Sequence, residues 1–385
     1  MHQNLKPEPF IANIPEPSLE DLRRRLEATR WPDEIPGTGW RYGANLSYLK
    51  ELVTYWREHF DWRKQEQVLN SFSQYRMKLG DITLHFIHQP GKGPSPLPLL
   101  FSHGWPGSVF EFVKIIGPLT DPARHGGDPR DSFTVVVPSL PGYGFSHKPT
   151  QPRVNLEETA ELFAHLMTDV LGYSRFAAQG GDWGSFITSR LGYAYPDRVI
   201  GIHLNMLSAA PHPSERNNLT AAEKSFLKEA ADFLKEESGY QWIQGTKPQT
   251  LAYALNDSPA GLAAWIVEKF HTWTDCHGDL DSHVSKDEIL SIITLYWLTG
   301  TINSSFWYYY QMRHHPWRLN PGERIRVPTA VAAFPLEILR PPKEWAARIY
   351  DLRRWTDMPS GGHFPALEEP QRLVEDIRLF FRELR

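Results

Sequence analysis

Five short and continuously apolar segments lie between residues 97 and 334. Segments of this kind are typical of strands that are buried on both faces of a sheet. Helical patterns at Leu156–Leu171 and Trp183–Tyr195 separate some of them. The alternation predicts an α/β fold with a mainly parallel sheet between helices. The five segments are Leu97–Phe101, Phe133–Val137, Phe176–Ala178, Val199–Leu204 and Val327–Phe334.

The composition is that of a folded protein. Of the 385 residues, 41% are hydrophobic and 22% are charged, and 41 Lys and Arg oppose 45 Asp and Glu without long runs of either sign. This balance argues against a nucleic-acid partner. The single cysteine, Cys276, excludes an intramolecular disulfide and a cysteine-rich metal site, and it fits a reducing cytoplasm.

Signals for export or membrane insertion are not found in the sequence. Residues 1–7 lack the apolar core of a signal peptide. The apolar stretch Ile289–Ile302 is too short to span a membrane, and Ser291, Thr294 and Thr299 interrupt it. We therefore expect a cytoplasmic protein without an integral membrane anchor.

The chain divides into four parts. Residues 1–74 hold two amphipathic helices, Ser18–Arg30 with a cap at Ser18 and Leu46–Phe60, and we expect an arm without strands that lies over another domain. A hairpin with Gly80 in its turn follows. Residues 75–208 and 319–385 form the predicted core, and residues 209–318 are expected to form a helical lid inserted into it. The lid helices are predicted at Ala221–Glu236, Gln249–Leu255, Gly261–Phe270 and Ile289–Thr301.

The strongest functional signal follows the strand that begins at Phe176. It reads Gly-x-Asp-x-Gly, centred on Asp182, and a helical pattern comes next. This arrangement is typical of a nucleophile elbow, a tight strand-to-helix turn that projects one side chain over the sheet. Asp182 is therefore a candidate nucleophile, although a helix N-cap between glycines explains the pattern equally well.

A second signal is the sequence His-Gly-Trp-Pro after the strand Leu97–Phe101. In a sheet that carries an elbow, a backbone N–H of this loop and that of the residue after the nucleophile form an oxyanion hole. The expected backbone donors are Trp105 and Trp183. His103 is expected to hold the loop rather than to act as a base.

A third signal is a Gly-Gly-His sequence that ends at His363. This histidine follows both the elbow and the last buried strand, in the chain order of nucleophile, acid and histidine, so it is the expected base. Its carboxylate partner should come directly after a strand. Glu337 meets this condition, and Asp351 and Asp357 are the alternatives.

An aspartate nucleophile favours displacement at a saturated carbon, which gives an alkyl-enzyme ester that water must hydrolyse. His363 would activate this water. The leaving group stays open, because a halide needs only a donor pocket whereas an epoxide oxygen needs a proton. The sequence lacks glycine-rich nucleotide motifs and His-Glu-x-x-His, so we expect no cofactor and no metal.

Together these motifs resemble the epoxide hydrolases of the α/β-hydrolase superfamily, in the branch with an N-terminal meander that includes the microsomal and juvenile-hormone epoxide hydrolases. The resemblance covers nearly the whole chain and implies an α/β-hydrolase fold. It also implies that a small apolar epoxide and water react to a vicinal diol. The matching motifs are Trp31-Pro32, His103-Gly104-Trp105-Pro106, Pro141-Gly142-Tyr143-Gly144-Phe145-Ser146, Gly181-Asp182-Trp183-Gly184 and Gly361-Gly362-His363-Phe364.

The resemblance further implies two lid tyrosines that donate to the epoxide oxygen. Tyr240 matches the first and Tyr309 the second, but Tyr308 and Tyr310 flank Tyr309 and leave its register open. The acid of the family matches Glu337. Microsomal members carry a membrane anchor ahead of the arm, whereas we expect a soluble form here, with a role in detoxification and with a homodimer as one option.

Two alternatives remain at this point. A haloalkane-dehalogenase-like enzyme would share the aspartate nucleophile and use the following tryptophan as a halide donor. An inactive member of the family would bind a ligand without turnover. The arm and the paired tyrosines argue against the first, and the filled catalytic positions argue against the second.

Overall fold

A computed structural model describes residues 6–151, 155–207, 210, 214 and 217–385. Nine strands form a sheet in the order β1-β2-β3-β5-β4-β6-β7-β8-β9. The pairs from β1 to β5 are antiparallel, and all pairs from β5 to β9 are parallel. The strands are β1 Glu8–Phe10, β2 Gln74–Leu79, β3 Ile82–Gln89, β4 Leu97–Ser102, β5 Phe133–Pro138, β6 Phe176–Gly180, β7 Val199–Leu204, β8 Ile325–Ala333 and β9 Tyr350–Asp357.

Helices cover both the sheet and its carboxyl edge. Those of the core include α4 against β5, α6 against β6 to β8, and α16 against β7 and β8. Every residue of β5 and β6 is buried, as the apolar runs predicted. The helices are α1 Glu16–Glu27, α2 Leu46–Glu58, α3 Trp62–Asn70, α4 Val113–Thr120, α5 Leu156–His165, α6 Trp183–Ala194, α7 Ala221–Glu236, α8 Gly239–Thr246, α9 Pro248–Leu255, α10 Pro259–Trp273, α11 Lys286–Thr299, α12 Ile302–Ser305, α13 Trp307–His314, α14 Lys343–Ile349, α15 Pro365–Glu368 and α16 Pro370–Arg382.

The mainly parallel α/β sheet is confirmed, and so are the five buried strands and the hairpin of β2 and β3. The predicted helix Leu156–Leu171 is only partly regular, since α5 ends at His165 and a π-helical turn continues to Val170. This π-helical turn is only five residues long, too short for its different period to show in the sequence pattern.

The arm differs from the sequence prediction in three ways. It contributes a strand, β1, which pairs with β2, and a third helix, α3. A three-residue strand is too short to show alternation. The first helix begins at Glu16 rather than at Ser18, because Pro17 occupies its first turn, where the fixed φ of proline favours a helix start. The helix also ends at Glu27, earlier than predicted.

The lid holds more helices than the sequence predicted. The helix predicted at Ile289–Thr301 is α11, which begins earlier, at Lys286, and ends at Thr299, because Gly300 has a φ of 59° and terminates it before α12 begins. Helices α8 and α13 were not predicted, and they carry Tyr240 and Tyr309. The predicted boundary between residues 208 and 209 lies outside the described residues, and the division into four parts stays a prediction.

The arm is fastened to the lid by polar and stacking contacts. The Tyr48 hydroxyl donates to Asp281 Oδ1 at 2.8 Å, and the Trp40 ring stacks on His271 at 3.9 Å between centroids. Within the part of the chain that the structure describes, no single helix is long and apolar enough to cross a membrane. The helix α11 and the stretch Ile302–His314 reach that length only together, with a bend of 106° between them.

Strand β4 and helix α6 pack backbone against backbone at Gly184. A Cβ atom on Gly184 would lie 1.8 Å from the carbonyl oxygen of Ser102. A Cβ atom on Gly180, at the end of β6, would lie 2.2 Å from the carbonyl oxygen of Gly184. Neither oxygen can move without disturbing a strand or a helix, so glycine is required on steric grounds at both positions.

We therefore expect Gly184→Ala to lower the free energy of unfolding by at least about 2 kcal/mol, because the added methyl group overlaps fixed backbone atoms. Urea unfolding followed by circular dichroism measures the change. Gly239→Ala is the matched control, since Gly239 is helical and has no atom within 4 Å of its added Cβ. Equal stability of Gly184→Ala and the control would contradict the steric argument.

Candidate active site

Asp182 sits in the turn between β6 and α6 with a backbone φ of 48° and ψ of −129°. A positive φ is strained for a residue with a side chain, and such strain is found mainly at functional sites. The side chain makes no capping hydrogen bond to α6, so the geometry does not support the N-cap interpretation. Its carboxylate instead points at the loop that follows β4.

The backbone N–H of Trp105 donates to Asp182 Oδ1 at 2.7 Å. This approach depends on Gly104, where a Cβ atom would lie 2.1 Å from the same oxygen. Trp183 is the first residue of α6, and its N–H therefore has no partner within the helix. No hydrogen bond from Trp183 to Asp182 is present among the described residues, and its place in the oxyanion hole stays a prediction.

His103 holds this loop through both ring nitrogens. Its Nδ1 lies 3.1 Å from the carbonyl oxygen of Gly104, and its Nε2 accepts from the N–H of Leu140 at 3.1 Å. Burial lowers the pKa of His103 to about 4, so the ring is neutral at physiological pH. These contacts agree with a loop-holding histidine and leave no nitrogen free for proton transfer.

His363 lies between two carboxylates. Its Nε2 is 3.3 Å from Asp182 Oδ2, and its Nδ1 is 2.5 Å from Glu337 Oε1. The His363 side chain is 1% exposed and that of Glu337 is 2% exposed. Glu337 follows β8, and its Oε1 also accepts from the N–H of Ile338 at 2.7 Å. The structure thus brings together the three residues predicted as nucleophile, base and acid.

The alternative acids lie elsewhere. Asp351 pairs with Arg353 at 3.0 Å, and Asp357 accepts from the indole N–H of Trp355 at 2.9 Å. Both contacts are at the exposed side of β9. Neither carboxylate contacts His363. Of the three candidate acids, Glu337 is therefore the one that lies next to the imidazole.

Tyr240 and Tyr309 meet on the lid side of Asp182, where α8 packs against α13. Their rings are 5.7 Å apart, and Tyr240 Oη accepts from the side-chain amide of Gln241 at 2.9 Å. Both rings contact the indole of Trp105, at 5.4 and 5.8 Å between centroids. Tyr309 also lies edge-on to Trp183 at 4.7 Å.

The neighbouring tyrosines point elsewhere. The Tyr308 hydroxyl is bonded to Thr159 Oγ1 at 2.8 Å, and the exposed Tyr310 stacks on His314. Of the three consecutive tyrosines, Tyr309 is the one that the structure places with Tyr240.

Burial sets the protonation of the tyrosine pair. Desolvation raises the pKa of Tyr240 and Tyr309 far above the usual range, and the Asp182 carboxylate adds to both shifts. Both hydroxyls therefore keep their protons at physiological pH. They can donate hydrogen bonds to a group that develops negative charge between them and Asp182.

Two carboxylates that the sequence analysis did not identify hold the loop of His363. Glu368 accepts from the N–H groups of Gly362 at 3.0 Å, Phe364 at 2.9 Å and Asp275 at 2.8 Å. Asp275 Oδ2 in turn accepts from the N–H of Gly361 at 2.8 Å. Glu368 lies five residues from His363 and could have been suspected, but Asp275 reaches the loop only through the folding of the lid.

Metal binding has no support in the structure. Among the described residues, no group of three or more His, Cys, Asp or Glu side chains is arranged to hold a metal ion. The expectation that the reaction needs no metal or cofactor remains a prediction from the sequence.

Two protein-family models match the chain, and their matches overlap at residues 98–112. Residues 7–112 match the model described as epoxide hydrolase N terminus, and residues 98–247 match the α/β-hydrolase fold. The first match covers the arm and the strands β2 to β4 and ends just before α4, and the second contains the elbow. The α/β-hydrolase fold expected from the resemblance is therefore confirmed.

Individual relatives agree with the family models. Epoxide hydrolase 1 of rabbit (Oryctolagus cuniculus) is 39% identical over 97% of this chain and 88% of its own length. The crystal structure of juvenile hormone epoxide hydrolase from the silkworm Bombyx mori is 31% identical, with a TM-score of 0.89 over 100% of this chain and 96% of that one. The epoxide hydrolase of Aspergillus niger is 30% identical, with a TM-score of 0.86 over 99% of this chain and 97% of that one.

Three findings indicate the same family. They are the match of the arm to the N-terminal model, the elbow that carries Asp182, and the similarity of these relatives over nearly the whole chain. The chain belongs to the epoxide hydrolases of the α/β-hydrolase fold that carry the epoxide hydrolase N-terminal segment.

Proposed function

We propose that the enzyme opens its epoxide through an alkyl-enzyme ester on Asp182 and then hydrolyses that ester with water activated by His363 and Glu337. The observation that carries this proposal is the position of the Asp182 carboxylate. It lies between a backbone N–H donor, a paired imidazole and two protonated tyrosines within one buried site. Each half of the reaction uses a different part of this arrangement.

In the first half, the carboxylate oxygen that Trp105 does not hold attacks one epoxide carbon. The carbon–oxygen bond of the ring breaks, and its electron pair goes to the epoxide oxygen. Tyr240 and Tyr309 stabilise this oxygen by hydrogen bonds and supply its proton. Their donation strengthens as charge develops, so it lowers the barrier more than it strengthens substrate binding.

In the second half, water attacks the carboxyl carbon of Asp182 while His363 takes a proton from it. The N–H of Trp105, with that of Trp183 as the predicted second donor, stabilises the oxygen that becomes negative. Collapse of this intermediate releases the diol, whose leaving oxygen takes the proton back from His363. The second proton of the water passes from the Asp182 carboxyl group to His363, which restores the carboxylate and the protonated imidazole. Glu337 fixes the imidazole orientation and stabilises the imidazolium as it forms.

The charge of Asp182 controls when His363 can act. Burial alone would lower the pKa of His363, but the carboxylates of Glu337 and Asp182 raise it well above the usual range. These charges favour the protonated imidazole in the free enzyme. Ester formation removes the charge of Asp182, which lowers the pKa of His363. The imidazolium then loses its proton, which replaces the one that the tyrosine pair gave to the epoxide oxygen, and Nε2 is free to accept a proton from water.

Halide displacement is the second candidate, and one observation favours it. The indole N–H groups of Trp105 and Trp183 are buried without a hydrogen-bond partner among the described residues, and such donors suit a halide ion. The pair of tyrosine hydroxyls supports the epoxide instead. An inactive member would lack one of the reacting groups, whereas all the predicted groups are present here.

A small apolar epoxide suits the aromatic walls of the site, and water is the second substrate. The homodimer, the cytoplasmic location and the role in detoxification remain predictions from the sequence.

We expect Tyr240→Phe and Tyr309→Phe each to slow alkylation of Asp182 more than ester hydrolysis, and the double variant nearly to abolish alkylation. The loss of one donor costs about 10²–10³-fold where nothing replaces it, and here the second hydroxyl partly does. Rapid-quench measurement of the first turnover gives the alkylation rate.

Tyr308→Phe is the matched control, because its hydroxyl is bonded to Thr159 away from the reacting atoms. Alkylation by the double variant at the wild-type rate would refute the role of the pair. Halide release from a chloroalkane by wild-type enzyme, without diol formation from epoxides, would favour the second candidate.

We expect Glu337→Gln to slow ester hydrolysis by about 10³–10⁴-fold while alkylation changes far less, since the imidazole loses both its orienting partner and a charge that stabilises the imidazolium. Single-turnover decay of the ester measures this rate. Asp351→Asn and Asp357→Asn serve as controls and should leave the rate unchanged. If Asp351→Asn or Asp357→Asn slowed ester hydrolysis while Glu337→Gln did not, the partner of His363 would be that aspartate and not Glu337.

A further inference from the structure

A small cavity lies inside the core next to Asp182 and His363. Its volume is about 20 Å³, which is enough for one water molecule and too small for an epoxide. It is lined by the ends of β4 and β6, by the loops that follow β4, β6 and β7, and by the chain from His363 into α16. Tyr240 and Tyr309 are not among its lining residues. Larger grooves, such as the one of about 780 Å³ beside Arg378, are not lined by Asp182 or His363.

Two polar side-chain atoms in the wall of this cavity lack a hydrogen-bond partner among the described residues. These atoms, Ser102 Oγ and Gln179 Oε1, are both buried. Burying such atoms without a hydrogen bond is costly, and an ordered internal water is the usual remedy. Gln179 is held in place because its amide nitrogen donates to Asn205 Oδ1 at 2.8 Å.

Glu111 completes the polar wall. It belongs to a short 3₁₀ helix, Val109–Phe112, and its Oε1 accepts from the N–H of Ser108 at 3.0 Å. Its other oxygen has no hydrogen bond in the part of the chain that the structure describes. Gly107 makes room for the carboxyl group, since a Cβ atom there would lie 1.5 Å from Oε1.

Burial favours the protonated form of Glu111. Desolvation raises its pKa to about 8, and the Asp182 carboxylate adds to the shift while His363 opposes it. A protonated carboxyl group offers one O–H donor beside its acceptor oxygens. The O–H of Glu111 can donate to the oxygen of a water molecule, and Gln179 Oε1 can accept one of the hydrogens of that water.

We propose that this cavity is the binding site of the hydrolytic water, held by Glu111 and Gln179 beside His363. The inference rests on the proposed function and specifies where its second substrate binds. His363 Nε2 takes one proton of the bound water, and the water oxygen forms the new bond to the carboxyl carbon of Asp182. The alkyl oxygen leaves with the electron pair and takes the proton back from His363, while Glu111 keeps its own proton throughout.

This position explains how water reaches an ester that fills the lid side of the site. In the proposed function the epoxide lies between Asp182 and the tyrosines, whereas the cavity adjoins Asp182 from the core. An alkyl group on Asp182 therefore does not have to leave before water can approach the carboxyl carbon. Glu111 and Gln179 contact the attacking water and act in the hydrolytic half of the reaction.

The first test separates the two half-reactions in Glu111→Met, a variant of similar length that cannot hydrogen-bond to water. We expect alkylation within about threefold of wild type and ester hydrolysis slowed by about 10–100-fold. Glu111→Gln should restore hydrolysis to within a few fold, because a neutral amide donates to water and also preserves the bond from the Ser108 N–H. Gln179→Leu should slow the same step.

Ser108→Ala is the control for a purely structural effect, since it breaks the cap of the 3₁₀ helix and leaves Glu111 and the cavity in place. Slower hydrolysis in Glu111→Met but not in Ser108→Ala supports the water site. Equal slowing of both steps, or the same effect in Ser108→Ala, overturns it. If Glu111→Met does not fold, Gln179→Leu and Glu111→Gln still separate the outcomes.

A crystal structure of the wild-type enzyme tests the site without any substrate. We expect an ordered water within hydrogen-bond distance of Glu111 and Gln179, and a cavity without density would overturn the inference. Failure of the proposed function is recognised differently, because in that case wild-type enzyme would form no ester on Asp182 whether or not the water is bound.

Discussion

The close approach of two backbones at the carboxyl ends of β4 and β6 is the constraint on which the site depends. Gly184 lets the start of α6 touch the carbonyl of Ser102, and Gly104 lets the next loop reach the carboxylate of Asp182. These contacts hold Asp182 at a φ of 48°, a conformation that the isolated turn would not favour. The strain places the carboxylate 2.7 Å from the N–H of Trp105 and 3.3 Å from His363, so the remaining groups act on a fixed target.

Burial then gives each titratable group a defined state. The two carboxylates around His363 favour the protonated imidazole, and in the proposed mechanism this lasts until Asp182 becomes an ester. Desolvation keeps the tyrosine pair and Glu111 protonated, so both faces of Asp182 present hydrogen-bond donors without added charge. The same low-polarity surroundings that would penalise a free charge make these donors effective toward charge that forms only during the reaction.

Local patterns in the sequence were sufficient for the sheet, Asp182, His363 and Glu337, because glycine spacing, apolar runs and chain order determine where these residues lie. The second tyrosine was different. Three tyrosines, Tyr308, Tyr309 and Tyr310, follow one another and differ only in the face of α13 on which they lie. That face is determined by contacts with Thr159, with Tyr240 and with solvent, which a sequence pattern does not show. β1 was missed because three residues show no alternation, and the role of Asp275 depends on a contact between lid and core.

Oxygen-18 labelling of the enzyme in a single turnover tests the central claim most directly. Excess enzyme is mixed with epoxide in oxygen-18 water, and the products are the diol and the peptide that contains Asp182, both measured by mass spectrometry. The ester pathway predicts label in the Asp182 side chain and an unlabelled first diol, because the diol receives its new oxygen from the carboxylate. Label in the first diol with none in that peptide would mean direct attack of water on the epoxide and would contradict the account.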